Sequence, residues 1–171
     1  MSNVLIGIIG VILFIGLALA GALFLGPRFQ ESTNNSKASA AIQAVSQVAH
    51  AINMREVQEG RPMTADQSIA GELINAKYLK SLPINPTGGS DVFLADVNGA
   101  GFGTGKALTV VMRMHDENNG KAICETIRRQ TGSLAVGSTW TPTPQSFTPA
   151  YMINPTGCQW DGGTYYAYAR I

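Results

Sequence analysis

The stretch that decides the fold is Val4–Phe29, VLIGIIGVILFIGLALAGALFLGPRF. It has no ionisable side chain before Arg28, a glycine every few residues, and a close at Gly26-Pro27. As a helix, Val4 to Leu25 is long enough to cross ~30 Å of hydrocarbon at ~1.5 Å per residue. A secretory signal core is shorter, follows a basic start and ends at a small-residue cleavage site. Here only Met1, Ser2 and Asn3 come before the run. The segment therefore reads as a retained apolar helix, residues 1–27.

Orientation raises a conflict. Arg28 and Lys37 follow the span and no Lys or Arg precedes it. The positive-inside rule would leave the rest of the chain in the cytoplasm. Cys124 and Cys158, the two cysteines, both lie in the C-terminal half. An even pair in a Gly-rich, β-rich domain favours a disulfide in an oxidising compartment, two unpaired buried cysteines being the other reading. A short basic leader cut away before Met1 reconciles the two signals, and Met1 is then expected to be a mature N-terminus.

Beyond Pro27 the pattern changes from apolar all round to apolar on one side. In SKASAAIQAVSQVAHAINMREVQEG the apolar positions include Ala38, Ala41, Ile42, Val45, Val48, Ala49 and Ile52. Steps of three and four make this an amphipathic helix over 28–60, with cap candidates in Ser32–Ser36 and a stop at Gly60 and Pro62. In the following TADQSIAGELINAKYLKSLPINPTGG, Thr64 or Asp66 can cap a short helix that buries Ile69, Leu73 and Leu79. Pro83 and Pro86 end it, and the chain turns through Asn85 to Gly89.

DVFLADV and ALTVVMRM read as strands joined by the glycine-rich NGAGFGTGK, and TYYAYARI as a terminal strand. Glu117 to Thr131 reads as a helix around Ile123 and Ile127, with Gly132 just beyond its end. The segment from Ser133 to Gly163 is irregular, with short strand pieces. INPTG occurs at Ile84 and again at Ile153, as similar turns before strands and not as a repeat. The fold class is α+β: a long N-terminal helix, hydrophobic then amphipathic, packed on a small antiparallel sheet within a head domain of 61–171.

Composition narrows the function. The chain has 171 residues, a formal net charge of +1 and 13% charged residues, with no basic block. That argues against nucleic acid as a partner, because phosphate binding needs clustered Lys and Arg. GAGFGTGKAL imitates a phosphate loop but has Ala100 at the leading glycine position and Ala107 where Ser or Thr would hold magnesium. The dinucleotide pattern fails at Thr104, in a strand-to-strand context. Asp91, Asp96, Asp116 and Glu117 lack the spacing of a calcium loop and read as solvated turn acids. His50 and His115 are isolated, and Tyr165, Tyr166 and Tyr168 read as packing along a strand. Asn34-Asn35-Ser36 matches a glycosylation sequon, a pattern common by chance. No nucleophile comes with an identifiable base, so no catalytic, cofactor or metal residues are assigned and the chain is not expected to be an enzyme.

These parts together resemble a type IV pilin. The apolar helix running into an amphipathic one is similar to that family's N-terminus. ELINAKYLKSLPINPTGG resembles the stretch after its long helix, where a Leu and a Tyr-Leu lead to a Pro and an Asn/Asp-Pro turn. GKAICETIRRQTG, with Cys158 near the last strand, resembles the type IVb branch of toxin-coregulated, bundle-forming and conjugative thin-pilus subunits. In that branch one disulfide, here Cys124–Cys158, closes the C-terminal region.

The resemblance implies a homopolymeric helical surface filament, fed from an inner-membrane precursor with a periplasmic head. It implies as partners a prepilin peptidase, which removes the leader and methylates the Met1 amine, and an inner-membrane assembly machinery. Leu5, Gly7, Gly10, Phe14, Gly16, Gly21 and Phe24 would pack the filament core. Gly16, Gly21, Gly26 and Pro27 would allow a local helix break in the filament. The family usually has Glu at its fifth mature position; here it is Leu5, so a buried amine must be satisfied in another way. A type II secretion pseudopilin or minor pilin shares this N-terminus, and a single-span anchored periplasmic binding protein is the alternative from a different class.

Overall fold

The computed structural model describes residues 2–64, 67–88, 92–97, 107–114, 117–133, 154–160 and 162–171. Their side chains are included except those of Ser2, Asn3, Phe24, Leu25, Pro27, Asp96, Val97, Ala107, Glu117 and Asn118. The element order is helix α1 (Ser2–Glu59), a π-helical turn (Ala70–Ile74), strands β1 (Val92–Val97) and β2 (Ala107–Met114), helix α2 (Glu117–Gln130), and strands β3 (Thr156–Trp160) and β4 (Tyr165–Arg170). By its contacts the chain divides into two units, 1–34 and 35–171.

In the second unit, α1 presents Ala38, Ala41, Val45, Val48 and Ile52 to the core, each fully buried. Steps of three and four keep these side chains on one stripe, and alanines along it bring the helix backbone close to its neighbours. Gly60 ends the helix with φ +67°, its N–H donating to Glu56 O at 2.9 Å. Left-handed backbone there suits a residue without Cβ. Gly132 does the same for α2 at φ +75°.

Strand order in the sheet is β1-β2-β4-β3, with every neighbouring pair antiparallel. Register places Val111 between Phe93 and Tyr168, and Tyr168 opposite Gly157. Alternation then sorts the side chains. Val92, Leu94, Val110, Met112, Met114, Tyr165, Ala167 and Ala169 join α1, Leu73, Ile123 and Ile127 in one hydrophobic core. On the opposite face Thr109, Val111, Gln159 and Tyr168 are also buried, while Phe93 meets Tyr166 edge-on with ring centres 6.3 Å apart.

β1, β2 and β4 lie where the apolar and aromatic alternation puts them, and α2 spans Glu117–Gln130. The short helix expected after residue 64 is a single π-helical turn, yet Ile69, Leu73 and Leu79 are buried. No side chain caps that turn at Ile69; instead Gly71 N–H donates to Ser68 Oγ at 3.3 Å, and Asp66 lies outside the described residues. The glycine-rich 98–106 also lies outside them. In the single chain α1 is continuous through Gly16, Gly21, Gly26 and Pro27; the break expected there concerns the assembled fibre.

Side-chain ties also link the residues after α2 to those before β3. Asn154 Nδ2 donates to Thr131 O and to Ser133 Oγ, and Thr131 Oγ1 lies 3.2 Å from Ser133 Oγ.

The tightest approach in the sheet is Gly157 against Tyr168. A Cβ on Gly157 would lie 2.6 Å from the Tyr168 hydroxyl and 2.7 Å from its ring carbon. Because that ring is buried, Gly157→Ala must displace packed atoms. It should destabilise the head by about 1–3 kcal/mol, read as a lower denaturation midpoint at unchanged slope.

Candidate functional site

Two features of the described residues stand apart from ordinary packing. One is the leading half of α1. Val4, Leu5, Ile6, Ile9, Ile12, Phe14, Leu17 and Leu23 are between 51% and 76% exposed. The apolar residues sit at consecutive positions around the whole circumference, so no face of this helix is polar. An 18-residue window within it reaches a mean hydropathy of 2.8 and none of that window is buried. The helix is thus long and apolar enough to cross a membrane. Surface of this kind is stable only in hydrocarbon or against other apolar surface.

The predicted packing residues are arrayed along this half. Leu5 is 62% exposed and Phe14 is 73% exposed. At Gly7, Gly10, Gly16, Gly21 and Gly26 an added Cβ would meet nothing within 4 Å. Phe24 and Pro27 lie on α1 with their side chains outside the described set, and Met1 is outside it altogether.

The second feature is the set of restraints on the head. Cys124 on α2 and Cys158 on β3 form a disulfide with Cα atoms 5.3 Å apart, both residues buried. Beside it Arg128 reaches from α2 to donate from Nη1 to Cys158 O at 3.1 Å. Burial pushes the Arg128 guanidinium down from its ordinary value, opposed by Tyr168. Burial likewise pushes the Tyr168 phenol up, while Arg128 and Arg170 pull the other way. Helix and edge strand are thus joined by both a covalent and a polar link.

Arg55, which the sequence reading overlooked, organises the other end. Its side chain is 6% exposed, with Nε 3.1 Å from Glu59 and Nη2 2.7 Å from Glu72. Nη1 has no hydrogen-bond partner among the described residues. Glu56 accepts from Met63 N–H at 3.1 Å. Partial desolvation, then the Glu59 charge and a hydrogen bond to it, raise the Tyr78 phenol above its ordinary value. The last turn of α1 therefore holds the returning chain by charge and by backbone. A signal was present: Arg55 continues the stripe Val45, Val48, Ile52 and has Glu59 four residues on.

Other residues weighed for chemistry do not converge here. His50 is exposed on α1, and Glu117 has its backbone in α2. Asp91, His115 and Asp116, and the side chain of Asp96, lie outside the described set. Among the described residues no group of three or more His, Cys, Asp or Glu could hold a metal ion. The chain matches no family model, and no curated protein matches it.

Two measurements probe the restraints. The disulfide closes a sequence separation of 34; reduction should lower stability by about 3–4 kcal/mol on a chain-entropy model, seen in denaturant melts with and without reductant. A raised tyrosine pKa means that the unfolded state loses its proton first as pH rises. Stability from Tyr168 is therefore present below pH 10.0 and falls above it. Melting temperature should drop from pH 9 to pH 11, and Tyr168→Phe should flatten that drop.

Proposed function

We propose that this chain is the structural subunit of a type IV surface filament, of the IVb kind. The observation that carries this reading is the apolar half of α1, whose described large side chains are all more than half exposed, in one helix with residues of a disulfide-closed α+β head. The resemblance of the N-terminus, the Leu-Pro-Ile-Asn-Pro turn and the cysteine region supports it. In this reading residues 4–25 first sit in the inner membrane, with the head in the periplasm. Assembly machinery then lifts the subunit into a helical stack at the cell surface, where the same residues form the core.

Energetics constrain that transfer. Leaving lipid for a core of sister helices gains little hydrophobic free energy, since acyl tails and Leu side chains are alike. Close packing must supply the preference, and the small surfaces at Gly7, Gly10, Gly16 and Gly21 permit close approach. Escape into water is different. Exposing about fifteen large apolar side chains at ~2 kcal/mol each would cost on the order of 30 kcal/mol, an upper bound. A fibre held this way needs no covalent links between subunits.

The glycine positions separate this reading from that of a lone membrane anchor. A side chain at Gly10 meets nothing in the single chain, and Gly10→Leu gains up to ~1 kcal/mol of helix propensity. Membrane insertion should therefore be unchanged, while fibre yield measured by electron microscopy of shed material should fall at least tenfold. Wild-type preparations that contain only dispersed particles, the polypeptide remaining lipid-embedded, would defeat the proposal.

A further inference from the structure

The head carries a face unlike an ordinary solvated helix surface. From Ala38 to Met54 α1 has no Asp, Glu, Lys or Arg. Its outward positions Gln43, Gln47, His50, Met54 and Val57 recur in steps of four and three and are all exposed. Met54 is 55% exposed and Val57 85% exposed. Depletion of charge with exposed apolar side chains marks the centre of interfaces rather than free surface. The face is also indented. A groove of about 480 Å³ runs between Gln47, His50, Met54, Tyr78 and Leu79, and a second of about 460 Å³ lies on the other side of Met54.

Elsewhere on the head Ile84 is 91% exposed. It stands on a turn held by polar contacts. Asn85 Nδ2 donates to Arg113 O at 2.7 Å, and Asn85 Oδ1 accepts from Thr87 N–H at 3.0 Å and from its hydroxyl at 2.7 Å. The segment Ser81–Gly88 carries no charge. An apolar side chain on a braced, neutral turn matches a neutral groove, whereas a charged partner would bury an unpaired charge there.

The geometry points to a contact between copies of this chain in which Ile84 of one head seats in the groove beside Met54 of the next. The two surfaces are different patches of the same head, so the contact is heterologous. Contacts of that type propagate into open helical arrays when rotation does not close them into rings. The inference rests on the filament reading and adds to it a specific head-to-head register, outside the apolar core.

Crosslinking on intact fibres tests it. Chains carrying Met54→Cys and chains carrying Ile84→Cys are co-expressed, and purified fibres are treated with a short bis-maleimide. The expected product is a dimer containing one chain of each kind, at least tenfold above fibres bearing either substitution alone. Dimers of two Met54→Cys chains in place of the mixed dimer would mean that the stripes pair with themselves, and would overturn the register. Fibres without mixed dimers would overturn it too, leaving the filament reading intact. No fibres from the parent chain would remove both.

Charge exchange gives an independent readout should the cysteine chains assemble poorly. Met54→Lys and Ile84→Glu change exposed positions and should leave the head's melting temperature unchanged. Each alone should reduce fibre yield at least tenfold and the double variant should restore it. Wild-type yield from both single variants, or no recovery in the double, would defeat the inference.

Discussion

Everything in this molecule answers to one mismatch: half of α1 is apolar around its full circumference, and water is the wrong solvent for it. Val4, Phe14 and Leu23 point in different directions and each is more than half exposed. A soluble head with one sticky stripe could hide that stripe by docking it on itself. A helix with no polar face has no such solution and must find surroundings that are apolar on every side. Hydrocarbon meets that requirement, and so does a bundle of identical helices.

The head meets a different requirement, that of staying folded while attached to such a helix. From residue 35 on, α1 belongs to the head's own core, with Ala41, Val45, Val48 and Ile52 fully buried. The helical element α1 thus contributes to both units, apolar all round in the first and one-sided in the second. At its end Arg55 meets Glu59 and Glu72, and Glu56 holds Met63, so the returning chain is tied to the last helical turn. Towards the other end of the sequence the disulfide joins α2 to β3, and Arg128 donates to Cys158 O in the middle of the same strand.

Much of this was legible in residue order, and the exceptions have physical reasons. β1 and β2 show as apolar runs between turn signals, and α2 as Ile123 and Ile127 one turn apart. β3 hid itself: Thr156-Gly157-Cys158-Gln159-Trp160 is buried through its centre, so no in-and-out alternation could announce it. Gly157 is there because Tyr168 lies over it, a relation set by strand pairing and invisible along the chain. The turn at Ala70–Ile74 buries the expected side chains, but it is too short for propensity to fix its hydrogen-bonding pattern. Arg55 was missed because a charge in an apolar stripe looks like the stripe's end, and of its two carboxylate partners only Glu59 is near in sequence, Glu72 lying beyond the helix.

The bracing around Thr131, Ser133 and Asn154 has a mechanical consequence. Asn154 donates to both Thr131 O and Ser133 Oγ, so the residues that follow α2 and those that lead into β3 are coupled by a side chain as well as by the disulfide, and loosening one link loads the other.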